Sequence, residues 1–156
     1  MTKVSAFASP KVTRTRLSGI AARERLFAQI SHSATPILWI SAPPGAGKTT
    51  LAASYIEATK RTALWYQVDS ADADPATLFF YMREAAAQGG LAKAHALPLL
   101  PPESVADLAS FTRRYFRDLF AKLPRPALVT VDDFQDANGP AFETMTHEAL
   151  RRFRTA

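Results

Sequence analysis

The residues Pro44-Gly45-Ala46-Gly47-Lys48-Thr49-Thr50 have the types and the order needed to hold a polyphosphate. Gly45 and Gly47 let the backbone curl so that successive N–H groups point inward, where an anion can accept from several of them. Lys48 adds a point charge that reaches the β- and γ-phosphates. The Thr49 hydroxyl is a ligand for the Mg²⁺ that accompanies a nucleoside triphosphate. The helix expected to begin here contributes positive potential from its N-terminus. The full pattern, G-x-x-x-x-G-K-[ST], asks for glycine where this chain has Ala42. Pro43 and Pro44 already stiffen the turn, so that first glycine is the most dispensable for cradling phosphate.

A second constellation is Asp132-Asp133, which ends the run Ala127-Leu128-Val129-Thr130-Val131. A continuous apolar run reads as a buried parallel strand, and ligands of open α/β sheets collect at the C-terminal ends of strands. Asp132 is therefore expected beside Thr49, holding Mg²⁺ directly or through water. Asp133 is expected to act as general base toward an attacking water. Two acids after an apolar run also begin many surface loops; their weight here comes from following a phosphate loop in an alternating β-α chain. The candidate site is thus Lys48 and Asp133 as catalytic groups, Pro44 through Thr50 (including Ala46 and Thr50) around the nucleotide, and Thr49 with Asp132 at the metal. The ligands this reading calls for are a nucleoside triphosphate and Mg²⁺.

Three strands and their helices must position these groups. Residues 37–41 read as a buried strand feeding the loop, and Leu51-Ala52-Ala53-Ser54-Tyr55-Ile56 as the helix that leaves it. Residues 62–68, rich in aromatic and β-branched types, read as a second strand, and 127–131 as a third. A helix is expected over Ala21–Ile30, with Leu26, Phe27 and Ile30 on one face. Another follows Asp74-Pro75, an N-cap and a proline at a position where its missing N–H costs nothing, and Gly89-Gly90 stops it. The aspartates of 69–74 lack the glycine and distal glutamate of a calcium loop and read as caps. After an irregular connection over 89–103, Ser104 is expected to cap an amphipathic helix buried through Val105, Leu108, Phe111, Tyr115, Leu119 and Phe120. Its Arg113, Arg114, Arg117 and Lys122 form a solvated face. A last helix, from Pro140 to Arg154, is expected to bury Phe142, Met145, Leu150 and Phe153.

A chain of 156 residues is one domain with room for a real core. The absence of cysteine excludes disulfides, thiolate metal sites and cysteine nucleophiles. His32, His95 and His147 have no metal-ligand spacing, and no apolar run approaches a membrane span. The formal charge of +5 suits an anionic ligand. Much of the excess lies at the front, where Lys3, Lys11, Arg14, Arg16 and Arg23 precede the first acid, Glu24. An acid-free basic start mimics an organelle transit peptide, but a mobile basic arm is the preferred reading. The domain reading is a basic leader over 1–18 and a phosphate-loop ATPase domain over 19–156.

With both signatures in hand, the chain resembles the N-terminal ATPase module of MalT-like, LuxR-type transcriptional activators, members of the signal-transduction ATPases with numerous domains. The resemblance rests on Lys11-Val12-Thr13 and Arg23-Glu24-Arg25-Leu26 in the leader, and on Ser41 to Thr50, where alanine at the first position is usual. Trp65 with Asp69-Ser70-Ala71-Asp72-Ala73-Asp74-Pro75 and then Asp132-Asp133-Phe134 extend it, although Gln135 stands where a histidine is common. It implies a cytoplasmic switch in which ATP binding drives self-association and gene activation, and slow hydrolysis resets the system. It implies ATP and ADP as ligands, no membrane contact and no direct DNA contact from this segment, since no helix pair with a tight turn follows Asp133. The fold implied is a three-layer α/β P-loop fold with a parallel sheet. By resemblance, a further strand belongs between the phosphate-loop strand and the Asp-Asp strand. The fold is therefore expected to be incomplete on its C-terminal side, and the chain alone to turn over little ATP. Two other readings stand beside this one: a small P-loop kinase, and a non-catalytic nucleotide-binding piece or remnant.

Overall fold

The computed structural model of the chain describes residues 9–17, 19, 23–33 and 37–153. The expectations for residues 1–8, Ser18, Ala21, Ala22, Pro36 and Arg154, and for the side chain of Phe153, lie outside the described residues.

The centre of the molecule is a parallel pair of strands, β1 (Thr62–Gln67) and β2 (Ala127–Asp132), in register from Thr62 opposite Ala127 to Gln67 opposite Asp132. Val68 N–H extends the ladder by donating to Asp132 O at 2.9 Å. Parallel neighbours need a long crossover, and helices fill it. Side chains alternate across β1 as a strand requires. Leu64 and Tyr66 enter the main core, and Trp65 enters a smaller cluster with Ala53 and Ile56 on the opposite face.

The smaller cluster belongs to α2 (Lys48–Thr59). The main core is built by α3 (Pro75–Gln88), α4 (Leu108–Lys122) and α5 (Pro140–Phe153), with Phe79, Phe111 and Tyr115 stacked at ring separations of 4.8 to 6.2 Å. A shorter helix, α1 (Glu24–His32), precedes the loop. It buries no residue fully, and Phe27 meets Tyr55 edge-on at 5.5 Å. The class is α/β, as expected.

Capping follows the sequence in most places. Asp74 accepts from Thr77 N–H and hydroxyl, at 2.9 and 2.7 Å, and Pro75 opens α3. Gly89 closes it, and a Cβ there would lie 2.8 Å from Ala63 O of β1, so only glycine permits that approach. At α4 the expectation fails: residues 102–107 form a 3-10 turn, and Asp107 accepts from Ser110 N–H in the capping role assigned to Ser104. Val105 therefore lies ahead of the α-helix, 55% exposed. Leu150 of α5 is also exposed, while Glu148 and Ala149 are buried.

The largest departure is at residues 37–41, which belong to no sheet. Leu38 and Trp39 are 48% and 66% exposed where a buried strand was expected. A strand exists only through a ladder, and β2 takes its partner from β1. Residues 38–40 face β2 across a cleft of about 230 Å³ rather than pairing with it.

The leader holds a second surprise. Lys11 and Val12 are buried in the domain, not carried on an exposed arm. Lys11 Nζ donates to Asp72 Oδ2 at 2.7 Å and lies 2.7 Å from Asp69 Oδ2 and 5.4 Å from the ring centres of Tyr66 and Tyr81. Asp72, fully buried, also accepts from Tyr66 Oη at 2.6 Å and from Asp69 N–H at 2.9 Å. These bonds satisfy a charge that would otherwise be costly to bury.

Candidate functional site

The loop ahead of α2 is shaped by its glycines. Gly45 and Gly47 have φ of +77° and +79°, the left-handed region that favours glycine, and Gly47 is the residue from which α2 departs. A Cβ on Gly47 would meet the Arg23 guanidinium at 2.9 Å, so Arg23, just ahead of α1, lies against this glycine loop. Lys48 bends back over the loop, its Nζ donating to Ala42 O at 2.8 Å and to Pro43 O at 3.3 Å. Ala46 N–H closes the turn onto Pro43 O.

At the far wall of the same cleft, β2 ends in the two acids. Lys48, Asp132 and Asp133 line the cleft together with Trp39 and Phe134. Thr49 and Thr50, half-buried in the first turn of α2, are not among its lining residues. Asp132 Oδ2 is buried with no hydrogen-bond partner among the described residues. A buried carboxylate oxygen left unsatisfied costs about 1–3 kcal/mol or more, and a cation would remove that cost. No cluster of three or more histidine, aspartate or glutamate side chains with metal-site geometry occurs among the described residues. A cation here would therefore draw on few protein ligands, as Mg²⁺ beside a nucleotide does.

Asp133 has φ +52°, and its Oδ2 accepts from Gln67 Nε2 at 2.9 Å. Gln67 is opposite Asp132 in the ladder, so the strand pairing brings its amide to the acids. Phe134 then meets Trp39 edge-on at 5.4 Å and Phe142 of α5 at 5.3 Å, a line of rings from the cleft mouth to the core.

The sequence reading did not single out Gln67, Trp39 or Arg23 for the site. Gln67 sits at the C-terminal end of a strand, which is a usable signal. The approach of Arg23 to Gly47 has no local signal, because it depends on how α1 docks.

Residues 22–122 match the family model described as nephrocystin 3, N-terminal. The chain belongs to this family. The matched span contains the glycine loop ahead of α2 and β1 and stops short of β2. The chain is also similar to the HTH-type transcriptional regulator MalT of Serratia proteamaculans (strain 568), 29% identical over 142 residues. That similarity bears out the MalT-like resemblance read from the sequence. It covers 88% of this chain but 15% of the relative, so the chain spans a small part of that protein's length. No solved structure gives a significant match. Among the described residues no helix is long and apolar enough to cross a membrane.

Proposed function

We propose that the chain binds ATP with Mg²⁺ and serves as the nucleotide switch of a cytoplasmic, MalT-like transcriptional regulator. The observation that carries this reading is the common cleft of Lys48, Asp132 and Asp133, reached by a loop with left-handed glycines at 45 and 47. The backbone N–H groups from Gly45 to Thr50 that have no carbonyl partner hold the phosphates. The Lys48 ammonium exchanges its two carbonyl partners for phosphate oxygens, and the Arg23 guanidinium adds charge beside Gly47. Asp132, with its orphaned oxygen, and the Thr49 hydroxyl hold Mg²⁺, which supplies charge neutralisation of the phosphates.

Hydrolysis in this reading is slow. Water attacks the terminal phosphorus, the bond to the bridging oxygen breaks, ADP leaves, and the water's proton passes to the Asp133 carboxylate that Gln67 holds in place. The cleft between residues 38–40 and β2 takes one further strand, which completes a three-layer P-loop fold. ATP-dependent self-association belongs to the regulator as a whole.

Titration with a fluorescent ATP analogue tests the reading. Lys48→Ala is expected to remove most affinity while the circular dichroism spectrum stays that of the parent. Unchanged affinity in the variant would overturn the assignment.

A further inference from the structure

A second cleft, of about 550 Å³, lies away from the phosphate loop, where the leader crosses the start of β1. Three guanidinium-bearing residues line it: Arg14 and Arg16 from the leader, and Arg61 from the turn between α2 and β1. The one acid in its lining is Glu57. None of the three arginines has a hydrogen bond or ion pair among the described residues. Asp69 and Asp72, the acids next to the leader, are held by Lys11.

The backbone segment that carries Arg14 and Arg16 is anchored on both sides. At one end of their segment the Lys11–Asp72 ion pair is buried, and Thr13 Oγ1 donates to Ser9 O at 2.9 Å. At the other end Leu17 packs against the cluster of Ala53, Ile56 and Trp65. The backbone of Arg14 and Arg16 is therefore a short span fastened at both ends, so a ligand that engages them need order only the side chains. Glu57 and the C-terminal end of α2 oppose an anion, but three guanidinium charges outweigh them. Each guanidinium offers a planar fork of donors matched to phosphate or carboxylate oxygens. The volume falls in the ~300–1,000 Å³ range of small-molecule sites.

We propose that this cleft is a second anion site, taking a small molecule with two or more negative charges carried on phosphate or carboxylate groups. It is separate from the nucleotide cleft: Ile56 is the one residue lining both. The helix α2 joins them, with Lys48 at its start and Glu57 in its last turn, and its 12 residues span about 18 Å. An anion bound here is thus positioned to bias the end of the helix that carries the phosphate loop.

The two tryptophans separate the sites, because Trp39 lines the nucleotide cleft and Trp65 the arginine cleft. In a Lys48→Ala, Trp39→Phe chain, Trp65 is the sole tryptophan and the phosphate loop is disabled, so the result does not depend on the nucleotide reading. Pyrophosphate and citrate are titrated at fixed ionic strength, with chloride as control, by Trp65 fluorescence and calorimetry. The expected result is saturable binding of at least one of them: pyrophosphate alone marks a phosphorylated ligand, and citrate alone a polycarboxylate. Adding Arg14→Gln and Arg61→Gln is expected to weaken binding about tenfold or more, since each removes charge-assisted hydrogen bonds. Arg16→Gln alone, at an exposed side chain, provides the same test at smaller amplitude if the combined variant does not fold. Absence of saturable binding, equal binding after arginine replacement, or an equal response to chloride would overturn the proposal.

Discussion

Gln67 Nε2 donates to Asp133 Oδ2 at 2.9 Å, tying the outlet of β1 to the outlet of β2. Asp133 has a left-handed backbone, and its carboxylate is met by this bond from the neighbouring strand. In any form of the protein that turns over ATP, Asp133→Asn is expected to keep nucleotide bound and slow hydrolysis by about 10²-fold or more. Gln67→Leu is expected to slow it less, while Asp132→Asn weakens Mg²⁺-dependent binding. Single-turnover phosphate release with parallel affinity measurements checks all three. Hydrolysis at the parent rate in Asp133→Asn would remove its role as base.

The leader's buried ion pair makes a separate claim on stability. Lys11→Met leaves the Asp72 carboxylate buried without its cation and is expected to cost about 3–5 kcal/mol. Urea melts of the variant and the parent measure the loss. A difference under about 1 kcal/mol, the range of an exposed pair, would show that the leader is not fastened as described.

Acid and alkali are expected to act through different groups. The Asp69 carboxyl is held below its ordinary value by the bond from Lys11, and that of Asp74 by the Thr77 hydroxyl and N–H. A depressed folded pKa means stability present above the unfolded value and lost as pH falls below about 4. Thr77→Val should therefore make the acid limb shallower. Burial, aided by Asp72, raises the Tyr66 hydroxyl, and burial raises that of Tyr115. Both stay neutral in the fold while the unfolded chain ionises, so stability should also fall as pH rises above about 10. Melts across pH 3 to 11 give both limbs.

Among the described residues β2 pairs on one side alone, with Val131 42% exposed and Trp39 across the cleft. Unpaired strand edges template association between chains. The 156-residue chain is expected to self-associate with rising concentration, and Val131→Lys to reduce this at unchanged helix content. Analytical ultracentrifugation of the two, showing equal association, would place the contact elsewhere.

Much of the site was legible because its determinants are local. A left-handed turn needs glycine at 45 and 47, a helix start wants Asp74-Pro75, and an apolar run ending in Asp132-Asp133 must place its acids at a strand's end. Each is written within a few residues. Tertiary structure alone decided what each element packs against. Leu38 and Trp39 have strand chemistry, but a ladder needs a neighbour, and β2 found β1 while the other side stayed a cleft. Lys11 reads as one more charge of a basic leader until Asp72, sixty-one residues away, is buried beneath it. Arg23 reaches Gly47, and Gln67 reaches Asp133, only because α1 docks and the strands align in register. Those pairings join residues far apart in the chain, so no local pattern encodes them; they follow from which surfaces exclude water together.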